Sequence, residues 1–302
     1  MLSQEKIPFW NGQRFGLVLS GGGAKGAYEA GVFRALYALD FADKVKAVSG
    51  TSVGALNTLI FAMQDVELAQ TLWSKIGLRN ILSPSDKMER GQLREVMRHI
   101  SPDTLEIEAL PSLLLELSRS NVSPFTQAGL RSLLWKTVDF QRIRHSGMAL
   151  YACAYDVEAL KPVYFHLNAL SDEEIIDAVL ASAAIPYLFQ PVSLGGRLYA
   201  DGGVNNPAYP VPNGDVTPIA PMKGLPLDRI LVIHLRHDVH PGYDEFCGVP
   251  VTHIIPSRPL EPVHGAGTMN FSHGALLEKL ALGYQDALSV LAPLAMGYLK
   301  AE

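Results

Sequence analysis

The sequence predicts an α/β fold on a mainly parallel sheet, and three observations predict it. Phe15-Gly-Leu-Val-Leu-Ser20 is a short apolar run that halts at glycines, and apolar residues at helical spacing follow it through Gly26–Leu39. Lys44-Val-Lys-Ala-Val-Ser49 repeats the arrangement, again ending at glycine and leading into a helical stretch over Ala55–Lys75. Runs rich in β-formers return at Met148–Tyr155, Pro162–His166 and Arg229–Leu235. Apolar runs that stop at a glycine turn and feed a helix are what strands buried between crossover helices require.

The elements follow in order. Ala27, Ala30, Val32 and Leu36 mark the inward face of the first helix. From about residue 84 to 144 the chain is rich in Leu, Arg and Glu and reads as a mostly helical insertion. Asp201–Leu227 is crowded with Gly, Pro and Asn and reads as loop, and a last helix spans Ser272–Leu291. With no internal repeat or linker, the expected organisation is one domain over residues 10–300 carrying that insertion.

Composition narrows the function. A chain of 302 residues that is 48 % hydrophobic can bury a large core, and 18 % charged residues argue against extended disorder. A net charge of −5 argues against a nucleic-acid binder, which would show a basic face, and against strong attraction to anionic lipid. Cys153 and Cys247 both have apolar neighbours, so a pair of buried free thiols is expected rather than a disulfide or metal site. Met1–Gly16 holds no apolar run suited to a secretory signal, and no stretch reaches the ~18 apolar residues of a membrane span. The expectation is a cytoplasmic protein, at most peripheral at membranes.

Gly50-Thr51-Ser52-Val53-Gly54 matches G-x-S-x-G between a strand and a helix, the context that a nucleophile elbow needs. The tight turn projects the serine hydroxyl, and the helix start favours developing negative charge. Ser20-Gly21-Gly22-Gly23-Ala24-Lys25-Gly26 follows the first strand. Its G-x-G-x-x-G spacing, with Asp40 further on, literally fits a dinucleotide fingerprint. A nucleotide phosphate loop fits worse, because Lys25 precedes the last glycine. Beside a nucleophile elbow, an oxyanion hole using the N–H groups of Gly22 and Gly23 is the better reading.

A serine nucleophile needs a base. None of the nine histidines has a recognisable context for it. His234 ends a strand, and His237-Asp238-Val239-His240 has loop-like spacing without a third ligand, so no metal is expected. Asp201-Gly202-Gly203 after Leu198-Tyr199-Ala200 places a carboxylate at a strand end, although alone it reads as a simple turn.

Together, in this order, Gly21–Gly26, Gly50–Gly54 and Asp201–Gly203 resemble the signature of patatin-like phospholipases, similar in active-site design to cytosolic phospholipase A2. Ala181-Ser-Ala-Ala-Ile-Pro-Tyr-Leu-Phe-Gln-Pro191 resembles the family's block before the aspartate, Asn205-Asn206-Pro207 its continuation, and Ala281–Ala287 its last helix. The resemblance implies a three-layer α/β/α sandwich and a Ser–Asp dyad, with Ser52 as nucleophile and Asp201 as base. It implies an oxyanion and substrate-binding region of Gly21, Gly22, Gly23, Lys25, Gly26 and Val53, with Gly50, Gly54, Gly202 and Gly203 as motif glycines. The implied substrate is a fatty acyl ester or phospholipid, met through transient contact with a membrane or micelle, without nucleic acid, cofactor or metal. The competing readings are a nucleotide-binding oxidoreductase using Gly21–Gly26 and a non-catalytic lipid-binding protein. Within the insertion, Thr104–Leu117 lines up leucines on one helical face, as a lid or as core.

Overall fold

The computed structural model describes residues 12–101, 103–105, 122–203, 214–261 and 268–295. Most of the leucine-rich segment Thr104–Leu117, and Asn205-Asn206-Pro207, lie outside the described residues. The chain opens with β1 (Phe15–Leu19), α1 (Gly26–Ala38), β2 (Val45–Thr51) and α2 (Val53–Ala62). Then come α3 (Val66–Lys75), α4 (Leu78–Ile81), β3 (Ser83–Pro84), α5 (Arg90–Arg98), β4 (Phe125–Thr126), α6 (Ala128–Thr137) and α7 (Phe140–His145). The β-rich half has β5 (Ala149–Asp156), β6 (Lys161–His166), α8 (Asp172–Ser182), β7 (Val192–Leu194) and β8 (Arg197–Asp201). It ends with β9 (Arg229–Ile233), β10 (Glu245–Phe246), β11 (Val249–Ile254) and α9 (His273–Ala295).

Nine described strands form one sheet in the order β10-β11-β9-β1-β2-β5-β8-β7, with β6 also on β5. The run β11-β9-β1-β2-β5 is parallel, and the remaining pairings are antiparallel. All five residues of β1 are buried, as expected of a central parallel strand covered on both faces. Leu17 and Leu19 face the main core with Phe33, Leu36, Leu59 and Ile176 from α1, α2 and α8. Val18, Ile230 and Val232 face the other way, against Met222 and Leu227. The fold is thus a three-layer α/β/α sandwich, whose second outer layer, among the described residues, is a thin cover around the short 3-10 helix Ala220–Met222.

Two expectations need correction. The single helix expected over Ala55–Lys75 is two helices. Gln64 takes a left-handed φ of 53°, and the Asp65 carboxylate accepts the Leu68 N–H at 2.9 Å, which ends one helix and caps the next. Cys153 is buried as expected, but Cys247 is exposed, in the turn between β10 and β11. Apolar neighbours in sequence did not bury it, because a two-residue strand at the sheet edge leaves its turn in solvent.

α9 crosses α1 at close range. A Cβ on Gly283 would lie 2.0 Å from the Tyr28 carbonyl oxygen, and one on Gly31 would lie 2.1 Å from that of Leu280. The Tyr28 hydroxyl donates to Asp286 at 3.0 Å in the same interface. We expect Gly283→Ala to lower stability by about 1–3 kcal/mol through overpacking, read as a fall in the urea midpoint with an unchanged m-value. A midpoint equal to wild type would show that the two helices can separate at no cost.

Candidate active site

β2 passes into α2 through Ser52, whose φ of 55° and ψ of −120° are rare for a residue with a side chain. The flanking glycines make that turn sterically feasible. A Cβ on Gly50 would come within 2.1 Å of the Gly54 carbonyl oxygen, and one on Gly54 within 2.4 Å of that of Leu19. The Ser52 N–H donates to Ser182 Oγ at 2.8 Å, and Ser182 donates onward to the Cys153 carbonyl. The last residue of α8 therefore fixes the elbow to β5.

Strand pairing brings the aspartate to the serine. β6 lies along residues Tyr151–Asp156 of β5, so β2 and β8 must share the opposite edge of β5. They run toward each other there: Thr51 sits opposite Cys153, and Asp201 sits opposite the next residue, Ala154. The ends of β2 and β8 thus abut, and the Ser52 hydroxyl stands close enough to Asp201 to stabilise its carboxylate. Asp201 is 4 % exposed, its N–H donates to Ala184 O at 3.0 Å, and its Oδ1 accepts the Gly203 N–H at 2.9 Å. Burial pushes its pKa up to about 6, with Ser52 and Gly203 pulling the other way.

The glycine loop abuts this pair. A Cβ on Gly21 would lie 3.4 Å from Ser52 Cβ. The Gly21 N–H donates to Val216 O, and the Ala24 N–H to Thr268 O. Among the described residues, the N–H groups of Gly22, Gly23 and Val53 donate to no protein acceptor. Gly23 has a φ of 57°, and a Cβ there would lie 2.2 Å from Thr268 O, so packing as well as access demands glycine. Gly26 opens α1, and its carbonyl accepts from Asn57 at 3.0 Å. Lys25 is buried, with its ammonium 3.6 Å from the Glu261 carboxylate.

Sequence reading missed Glu29. It is fully buried on α1, accepts from Asn57 Nδ2 at 2.7 Å, and is pushed up to about 8 by burial. Asn57 Oδ1 accepts in turn from Trp73 Nε1 at 2.9 Å, tying α1, α2 and α3 together beneath the loop. An acid among Ala27, Ala30 and Phe33 on an inward helix face was the available signal. Of the histidines, His234 bonds His253 at 2.9 Å and is pushed down to about 4 by burial and that neighbour, so it is neutral at pH 7. No cluster of three or more metal-type side chains occurs among the described residues.

An apolar cavity lies against Ser52 and Gly23. Leu56 and Ile60 of α2, Trp73 of α3, Leu134 of α6, and Met269 and Phe271 ahead of α9 line it. Nearly all of its wall is hydrocarbon, so it suits an alkyl chain and offers nothing to a charged group.

The family model described as patatin-like phospholipase matches residues 17–212, which holds all three glycine-bearing motifs. The chain belongs to the patatin-like phospholipase family. It is similar to a probable lipid hydrolase, 463L, of Invertebrate iridescent virus 6, with 25 % identity over 191 residues. That match takes in 63 % of this chain and spans about 60 % of the viral protein's length. Among solved structures, VipD from Legionella pneumophila shares the fold with a TM-score of 0.51 at 15 % identity, covering 93 % of this chain and 67 % of VipD. No helix among the described residues of this family member is long and apolar enough to cross a membrane.

The raised pKa of Asp201 has a thermodynamic signature. Its folded value of about 6 lies above the unfolded 3.8, so the site's stability is full below pH 3.8 and falls as pH rises through 6. That loss amounts to about 3 kcal/mol above pH 7. Asp201→Asn removes the charge, so variant-minus-wild-type stability should grow between pH 4 and pH 7.5, measured by urea unfolding. A difference that does not change with pH would show that Asp201 titrates normally.

Proposed function

We propose that the protein is a serine acyl hydrolase of lipid esters, with Ser52 as nucleophile and Asp201 as general base. One observation carries the reading: the Ser52 hydroxyl, on the wall of an apolar cavity, adjoins the desolvated carboxylate of Asp201. Each half of that arrangement has a chemical use. A carboxylate taken out of water is a stronger base, and a hydrocarbon cavity holds the acyl chain of the ester being cut.

Asp201 takes the Ser52 hydroxyl proton while Oγ bonds to the ester carbonyl carbon. The carbonyl oxygen becomes an oxyanion that accepts from the N–H groups of Gly22, Gly23 and Val53, at the N-terminus of the ten-residue helix α2. Collapse breaks the bond to the alcohol oxygen, which leaves with the proton held by Asp201. The acyl group stays on Oγ with its chain in the cavity. Water then gives a proton to Asp201 as it attacks, and collapse returns that proton to Ser52 and frees the fatty acid. No step calls on histidine, metal or cofactor. The family and the viral relative support a lipid ester as substrate.

The dinucleotide reading finds less support. Asp40 follows the C-terminal end of α1, so it lies at the edge of the sheet where the strands begin, away from the glycine loop at their far ends. The space next to the loop is hydrocarbon.

Ser52→Ala and Asp201→Asn should each remove nearly all hydrolysis of a p-nitrophenyl ester, and the double variant should be little worse than either, because the pair acts as a unit. In the wild type, kcat/KM should rise with pH through about 6 as Asp201 ionises. A histidine variant as inactive as Ser52→Ala would replace the dyad with a triad. The cavity makes a separate prediction. Leu134→Phe should lower kcat/KM for a long-chain ester on the order of tenfold and leave an acetyl ester nearly unaffected. Equal losses on both esters would place the acyl chain elsewhere.

A further inference from the structure

Asp215, Val216 and Thr217 belong to none of the three motifs, yet they touch all of them. Asp215 N–H donates to the Gly202 carbonyl at 2.8 Å, and the Asp215 carbonyl accepts the Thr51 hydroxyl at 2.7 Å. The next carbonyl, of Val216, accepts the Gly21 N–H at 2.9 Å. Thr217 Oγ1 shares a hydrogen bond of 2.9 Å with Ser20 Oγ, which also donates to the Ile233 carbonyl. One short crosspiece thus joins the aspartate turn, the elbow and the glycine loop. These three come from the ends of different strands, β8, β2 and β1.

The crosspiece is itself anchored by a side chain. The Asp215 carboxylate accepts the Tyr164 hydroxyl at 2.6 Å and also the Thr217 N–H. Tyr164 stands on β6 directly opposite Cys153 of β5, so the anchor reaches the strand that seats both Thr51 and Asp201. Burial, Tyr164 and Thr217 act on the Asp215 carboxylate, whereas the Ser52 hydroxyl acts on that of Asp201.

We propose that Asp215, held by Tyr164, is a positioning residue that sets the distance between the oxyanion loop, the nucleophile elbow and the general base. This rests on the acyl hydrolase reading above. The physical need is clear: the oxyanion donors, Ser52 and Asp201 must agree in position to a fraction of an ångström, and they sit on three separate strand ends. Backbone hydrogen bonds to a shared crosspiece remove that freedom without placing a side chain in the acyl cavity.

The test uses Asp215→Ala, Tyr164→Phe and Asp215→Asn in the full chain, with a short soluble ester and a short alkyl fluorophosphonate. Asp215→Ala should lower kcat by about 10- to 100-fold with KM changed less than about threefold. The rate of fluorophosphonate labelling of Ser52 should fall by the same factor, and the activity midpoint near pH 6 should stay in place. Tyr164→Phe should lose kcat in the same pattern to a smaller extent. Asp215→Asn should recover most of the loss, because an amide can accept from Thr217 N–H and donate to the phenol oxygen. If Asp215→Ala does not fold, the kcat loss in Tyr164→Phe decides. A kcat near wild type in both Asp215→Ala and Tyr164→Phe overturns the proposal. So does an Asp215→Asn variant as impaired as Asp215→Ala with a moved pH midpoint, which would make Asp215 a base. Ser52→Ala separates the two levels: if it stays active, the hydrolase reading itself fails, whatever Asp215 does.

Discussion

The site depends on one constraint of β-sheet pairing, the sharing of a single edge of β5 by two strands that meet end to end. β2 arrives parallel and β8 antiparallel, and their last residues fall opposite Cys153 and Ala154. A strand edge offers one row of hydrogen-bonding groups, so the position of each end is fixed by register rather than by loop length. A slip of β8 by one residue would turn Asp201 to the other face of the sheet. That is why two residues distant in sequence, Ser52 and Asp201, stand side by side.

Around that junction the fold tolerates arrangements that oppose stability. Ser52 sits in a strained conformation, Asp201 is a carboxylate out of water, and Glu29 is an acid buried among apolar neighbours. Each is unfavourable taken singly. They persist because a large apolar core, from Phe15 to Leu294, surrounds them. Strain and desolvation gathered around one junction are a usual mark of a functional site.

Much of this was legible in the sequence, for local reasons. The elbow and the glycine loop are written in contiguous residues, because sterics at a tight turn act between near neighbours. β1, β2, β5 and β9 were readable as buried strands from their apolar runs. The break at Gln64–Asp65 was not, because apolar periodicity continues on both sides and only the Asp65 cap marks it. Asp215 was unreadable too: its contacts with Gly202, Thr51 and Tyr164 are tertiary, and a lone aspartate in a loop looks like any other. Lys25, grouped with the glycine loop by motif, owes its neighbour Glu261 to a stretch far along the chain. Exposure of Cys247 depended on where the sheet happens to end.

The crossing of α1 by α9 has a consequence for the order in which the chain is made. Tyr28 and Asp286 are separated by 258 residues, and the carbonyl that receives the Ala24 N–H comes from Thr268. Elbow and aspartate are both synthesised before these C-terminal partners exist. A nascent chain on the ribosome can therefore pair β1, β2, β5 and β8 and yet lack the helix that seats the glycine loop. Closure across so long a stretch is slow compared with local structure. The partners that complete the loop's setting are made after the loop, the elbow and the aspartate, so a chain made only as far as β8 has no finished loop.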